Sequence, residues 1–471
     1  MKKKLLSTPR NFQHFNRSLI AFQLNYLKAI SYKIFLPVFL FFVSNFMYGQ
    51  ATITHTFDTN NSVIVPNGLT SMNIQAWGGG GSGGGATNLP ALQGRSGSGG
   101  GAGARATATI TVVPGTTISA LVATAVSGTA GANGTAGNPS TISGFESFIS
   151  ASGGAGGLGN ITGNASYAGG AGGSTGAGTV TAGGNGGQGF TSGLAALFTS
   201  GAGGNSPGFT NGGASHTSVI GGVNENGNPG GIPGGGGSGG IITNTGEVRA
   251  GGAGGAGRVI IGYTCPTYSI NSTSAAGACV STGTSLVTLT GPAANLPVGT
   301  YTVTYNRTNP TGTNLTATMT VSTAGTATFT AVGFTTVGTS TVTIVSIRSQ
   351  DCISTVNSGN NSANVIVSAL SVGGSISGGS TICSGGNSAT LTLSGHTGTV
   401  LRWQYLIAPF TTWVDIANTT GTGYVFGPLG QTVRFRAVVA NGTCAEAVSS
   451  EATVTVNPLP QGGLTANGPF C

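Results

Sequence analysis

Several stretches of the chain alternate between apolar and polar positions. Ser71-Met-Asn-Ile-Gln-Ala-Trp77 alternates and then runs into Gly78–Gly81. Ala106, Ala108, Ile110 and Val112 alternate with Thr107, Thr109 and Thr111, and Val113-Pro-Gly115 ends that run with turn chemistry. Arg258-Val-Ile-Ile-Gly-Tyr-Thr264 closes the region as a further strand. A period of two sends successive side chains to opposite faces, so these runs predict strands with one buried face. Between them glycine dominates, in patterns such as Gly169–Gly173 and Gly251–Gly255, with little proline and no strict three-residue period, which excludes collagen. Glycine loses the most backbone entropy on ordering. Order here therefore predicts extended strands or polyglycine-type helices, packed so closely that only a hydrogen atom fits as a side chain. Trp77, Phe145, Phe148, Tyr167, Phe190, Phe198 and Phe209 are spaced along the segment, which argues against a plain linker.

After Cys265 glycine thins out and alternation takes over. Tyr301, Val303 and Tyr305 share one face; Leu315, Ala317, Met319 and Val321 share another; Val342 and Ile344 follow. From Val372 a second series begins: Ala389, Leu391 and Leu393, then Leu401–Tyr405, then Val433, Phe435, Ala437 and Val439, then Ala452, Val454 and Val456. Short strands separated by turn signals predict two β-sandwiches. The expected fold class is all-β: a glycine-rich β domain with polyglycine-like loops over 51–264, then immunoglobulin-like sandwiches over 265–371 and 372–458. Residues 459–471 read as a linker or the start of a truncated further module.

Residues 1–50 change the picture of charge. Ile34–Val43 is a short apolar run behind a basic stretch, and small residues near Tyr48–Ala51 offer a cleavage region. This fits a signal peptide and is too short to span a bilayer; an uncleaved signal anchor is the alternative. Seven of the sixteen basic residues precede this run, leaving nine against eight acids, a net of about +1 rather than +8. The mature chain holds no lysine. Phosphate backbones need clustered cations, so no nucleic-acid role is expected. A secreted or cell-surface location follows, with no membrane span after cleavage.

Six cysteines agree with an oxidising compartment. Cys279 with Cys352, and Cys383 with Cys444, are the favoured pairs, because each brackets one strand-rich segment. The second pair would stabilise by about 4 kcal/mol on the chain-entropy account. Cys265 and Cys471 are left over, and a chain stopping at Cys471 reads as a piece of something longer.

Val65–Gly81, Thr111–Gly115 and Gly254–Tyr263 together resemble the glycine-rich domain of bacterial surface proteins and phage tail adhesins. The resemblance implies a β scaffold displaying glycine-rich loops, with adhesion or recognition as the usual role, and it carries over no ligand. Residues 372–458 resemble the immunoglobulin-like fold, which puts Trp403 in the place of the core tryptophan. Phe435-Arg-Ala437 stands where that fold often has Tyr-x-Cys. The tandem modules resemble those of large adhesins of the Bacteroidota.

No catalytic constellation is legible. His14, His55, His216 and His396 are scattered, without metal-ligand spacing. His55 and Asp58 could meet at a strand end as a polar pair. The few acids form no glycosidase-like pair, and Gly-x-Gly-x-x-Gly matches lack both a following helix and a lysine. Neither catalytic, cofactor-binding nor metal residues are expected. The leading expectation is a non-enzymatic surface adhesin or structural protein, with sandwich modules as spacers and cell-surface glycans or other surfaces as partners. The alternative is the accessory part of a larger secreted polysaccharide-active enzyme.

Overall fold

The computed structural model describes residues 50–87, 94–160, 166–191, 197–243, 247–356, 359–386 and 389–459. The expected signal peptide, and Cys471, lie outside the described residues. Every regular hydrogen-bonded element among them is a strand, so the chain is all-β.

The glycine-rich domain begins as a sandwich. One sheet runs Thr52–Phe57, Arg258–Thr264, Ser71–Trp77, Arg105–Thr111, Thr179–Thr181. The other runs Gly176–Ala177, Ile149–Ala151, Ser140–Ser143, Thr117–Leu121, Asn61–Ile64. The alternation read from the sequence sends Met72, Ile74, Ala106, Ile110, Val259 and Ile261 inward to meet Ile118, Ile142 and Ile149.

Beyond Trp77 the strand leaves the sheet and becomes a polyglycine helix. The N–H groups of Gly78, Gly81 and Gly84 donate to the carbonyls of Ala104, Gly101 and Ser98; those of Gly79, Ser82 and Gly85 to Asn138, Thr135 and Ala132; those of Gly80 and Gly83 to Gly255 and Gly252. Successive donors point a third of a turn apart, and every bond goes to another segment. That is the geometry of a three-residue-per-turn helix with no internal hydrogen bonds. Residues 97–104 lie at the centre of the resulting bundle. They donate to 152–160, 182–189 and 234–240, and accept from 78–85, 167–175 and 199–206. With neighbours all round, this segment has no room for side chains on its glycines: a Cβ on Gly100 would stand 2.2 Å from the carbonyl oxygen of Gly81. Peripheral segments have one free side, and there a local triplet appears. Ala171 and Ser174, Asn185 and Gln188, Ala155 and Leu158 each follow a glycine pair and point to solvent.

Residues 265–371 form an immunoglobulin-like sandwich. Its long strands are Gly299–Thr308, Thr311–Thr323 and Gly338–Ser349, and the short strand Ala278–Cys279 pairs parallel with the last one, Ser362–Ser368. Its core is continuous with that of the glycine-rich domain through Val65, Leu69, Tyr263, Cys265, Tyr268 and Tyr301. Tyr268 donates its hydroxyl to the Asn67 carbonyl at 2.8 Å, and the Asn67 N–H donates to Ser349 Oγ at 2.9 Å.

Residues 372–458 form a second sandwich around a separate core. One sheet is Ser375–Ser377, Ala389–Ser394, Gly423–Phe426; the other holds Thr381–Cys383, Ala452–Asn457, Val433–Ala440, Thr399–Ile407 and Val414–Ile416. Trp403 is fully buried and donates its indole N–H to the Gly421 carbonyl at 2.9 Å. Ala437 lies directly across the sheet from it.

The expected cysteine pairs do not form. Cys265 bonds Cys352, and Cys279 bonds Cys444. Cys383 is disulfide-bonded too, but not to Cys444. Bracketing a segment in sequence misleads because each sandwich pairs a leading short strand with its last strand. That pairing carries Cys279 beside Ser368, at the exit of its module, where the loop bearing Cys444 meets it. Cys383 is carried instead beside Asn457, at the opposite end of the second sandwich from Cys444.

Candidate functional site

The polyglycine bundle presents an exposed apolar surface at the end remote from the sandwich. Segment ends 85–87, 94–97, 158–160, 189–191, 197–200, 216–226, 240–243 and 247–249 converge there through backbone bonds between segments. A small sheet of Phe190–Thr191, Leu197–Thr199 and Thr217–Val219 caps the bundle. Phe198 is the anchor. It is 2% exposed and packs so tightly on Gly94 that a Cβ there would come within 2.6 Å of its ring. Ser96 Oγ holds the Phe190 carbonyl at 3.0 Å.

Because Phe198 faces inward, strand alternation turns Leu197 outward, and its register partner Val219 shares that face. Leu197 is 52% exposed, Val219 47% and Phe190 56%; Ile220, Val223 and Val248 add to the apolar surface. Charged side chains are few and have partners: Glu225 contacts the His216 ring, and Arg249 pairs with Glu247, whose carboxylate also accepts from Asn224 at 2.9 Å. Arg95 is buried beneath, donating to the Thr87 carbonyl at 3.1 Å. The face combines exposed apolar side chains with paired polar ones on the hydrogen-bonded bundle.

A second feature lies on the outer face of the five-stranded sheet. Asn73, Gln75, Arg105, Thr107, Thr109 and Thr179 line a shallow hollow of about 410 Å³. Arg105 donates to Gln75 Oε1 at 2.7 Å and lies 5.1 Å over the Trp77 ring; Thr109 donates to Asn73 Oδ1 at 2.8 Å. A third, of about 380 Å³, lies where the glycine-rich domain joins the first sandwich, and includes Tyr301, Arg348, Gln350 and Asp351. Beside it, Tyr263 and Tyr268 have hydroxyls pushed up to about 12, chiefly by burial, with the Asp351 charge adding to the effect at Tyr263.

His55 and Asp58 do not meet. Strand alternation separates them: His55 faces Tyr263 at 3.2 Å and Asp351 at 3.3 Å, while Asp58 makes a two-point pair with Arg258 at 2.6 and 2.9 Å. Among the described residues no cluster of three metal-capable side chains occurs. No sequence signal pointed to Leu197 and Val219, since three residues of alternation are too short to read.

A family model described as a glycine-rich domain matches residues 54–264. A second, described as a domain of unknown function (DUF8696), matches residues 372–458. No curated protein matches the chain. Among solved structures the chain is similar to the FN1–FN3 domains of chicken CNTN1, at 9% identity over 46% of this chain and 81% of that one, with a TM-score of 0.27. It is also similar to domains A168–A170 of titin, at 14% identity over 48% and 81% with a TM-score of 0.22. A third is the adhesin InvE of Yersinia pseudotuberculosis, at 20% identity over 40% and 58% with a TM-score of 0.16.

Proposed function

We propose that this chain is an exported, non-enzymatic surface-recognition protein of the adhesin class, of the kind built by the Bacteroidota. The distal end of the polyglycine bundle is its contact face, and the two sandwiches hold that face away from the cell. The observation that carries the reading is the exposed trio Phe190, Leu197 and Val219 on a frame of backbone segments hydrogen-bonded to one another. A contiguous exposed apolar surface rimmed by polar groups marks a contact site, and a preorganised one loses little entropy on binding. Disulfides and the basic leader support export. Cell-surface glycans suit the partner role, since an exposed aromatic ring and uncharged polar groups offer stacking and hydrogen bonding without a charge requirement.

The test compares the full chain with a Phe190→Ser, Leu197→Ser, Val219→Ser variant in glycan-array and whole-cell adhesion assays. Binding by the parent that the variant loses, with unchanged thermal unfolding, is the expected outcome. Equal binding by both moves the contact face elsewhere, and no binding to any surface sinks the recognition role.

A further inference from the structure

The bond between Cys279 and Cys444 joins residues separated by 165 positions in sequence, with Cα atoms 4.8 Å apart. It also crosses a module boundary: Cys279 belongs to the first sandwich and Cys444 to the second. The loop bearing Cys444 is held against the linker between the modules. The Asn441 N–H donates to Ser371 Oγ at 2.9 Å, and Asn441 Nδ2 donates to the Ala369 carbonyl at 2.9 Å. Inside the closed loop lie the strands from Thr284–Thr290 through Val433–Ala440, most of both sandwiches.

We infer that this bond is a mechanical bypass. A pull between the glycine-rich domain and the far end of the second sandwich reaches Cys279 soon after Thr264. It then crosses the sulfur bridge to Cys444 and leaves along the last strand, Ala452–Asn457. Residues 280–443 lie outside that covalent path, so their strands bear no tension and cannot be drawn out. In an ordinary tandem each sandwich is a series element held only by hydrogen bonds and packing, and it lengthens when it unfolds. Here the pair can lengthen only by the short segments on the loaded path, 265–279 and 444–458, whatever the glycine-rich domain binds. The Cys265–Cys352 bond ties the entry of the first sandwich to its own core and leaves this path unchanged.

Single-molecule force spectroscopy on the full chain, held by tags at its two ends, tests this. The oxidised protein is expected to withhold the contour length of residues 280–443 at every force below bond rupture. After dithiothreitol the same molecule is expected to gain at least the length of 165 residues, roughly 540–590 Å at 3.3–3.6 Å per residue. A Cys265→Ser, Cys352→Ser variant removes the bond within the first sandwich and is expected to behave like the parent while oxidised. Release of that length by the oxidised parent or variant overturns the bypass. So does an unreduced peptide map without the Cys279–Cys444 link, a readout that stands even where the variant fails to fold.

Discussion

A Cβ placed on Gly83 would stand 1.9 Å from the carbonyl oxygen of Ser238. No rotamer relieves that contact, because both atoms belong to backbone already committed to the bundle: the Gly83 N–H donates to Gly252, and the Ser238 N–H to Asn228. Gly83→Ala is therefore expected to cost more than about 3 kcal/mol, the upper range of overpacking in a well-filled core, and to unfold the bundle in circular-dichroism melts. Gly231→Ala is the matched control. Its nearest obstacle is the Asn211 Cβ at 3.3 Å, on an exposed edge. A change within about 0.5 kcal/mol is expected there, since lost unfolded-state entropy offsets the mild crowding. Equal melting of the two variants would mean that the bundle does not depend on close backbone approach.

Trp403 lies in a core that shares no residue with the rest of the molecule. Trp403→Ala is expected to cost about 3–5 kcal/mol, the range for emptying a large aromatic from a packed interior. The loss should fall on the second sandwich alone. Denaturant unfolding should then separate into an early step for residues 372–458 and an unshifted later one. Hydrogen exchange resolves the two: early deprotection of Val433–Ala440 with Ser71–Trp77 still protected is the expected pattern. A uniform shift of both would show that the cores are energetically coupled.

The strands of the sandwiches were legible because alternation is a local property. Ala106–Val112 and Arg258–Thr264 each present a buried face that a reader of sequence can see. The polyglycine bundle was legible only as a packing requirement. Its three-residue period is invisible at the centre, where 78–85 and 97–104 are hemmed in and side chains are almost wholly excluded. It surfaces only at the edge, as at Asn185 and Gln188, where the third residue faces water. The cysteine pairing departs from sequence bracketing for a related reason. Pairing depends on which strand ends meet in space, and parallel closure of each sandwich brings Cys279 to a boundary that sequence distance does not reveal. The proposed contact face has no sequence signal, since Leu197 and Val219 are exposed only because Phe198 is not.

The Asp58–Arg258 pair bolts the first strand to the strand that closes the domain. The hydrogen bonds from Arg258 hold the Asp58 carboxyl below its usual range. A carboxyl whose pKa is lowered by folding contributes stability above its unfolded value and loses it as pH falls through the folded one. The pair is well exposed, so screening keeps its worth at or below about 1 kcal/mol. Asp58→Asn is thus expected to lower the melting temperature slightly at pH 7, and by progressively less as the pH falls below the usual carboxylate range. A difference that stays constant as the pH falls would assign the effect to packing instead of charge.

The joint between the glycine-rich domain and the first sandwich is expected to fail in alkali. Tyr263 and Tyr268 are almost fully buried there, and folding raises both hydroxyls from 10 to about 12. A raised pKa means the native state prefers the neutral phenol. The stabilisation is whole below pH 10 and is lost as pH climbs from 10 to 12. Each two-unit shift is worth at most about 2.7 kcal/mol, and the two do not add freely, because both rings line one interface. Absorbance at 295 nm should show these phenols ionising above pH 10, together with a change in near-ultraviolet circular dichroism. Tyr268→Phe removes one ionising group along with the hydrogen bond to the Asn67 carbonyl. It should lower stability at pH 7 by about 1 kcal/mol yet flatten the loss between pH 10 and 12. A variant that loses stability with the same slope as the parent in that window would show that Tyr268 does not hold the joint through its neutral hydroxyl.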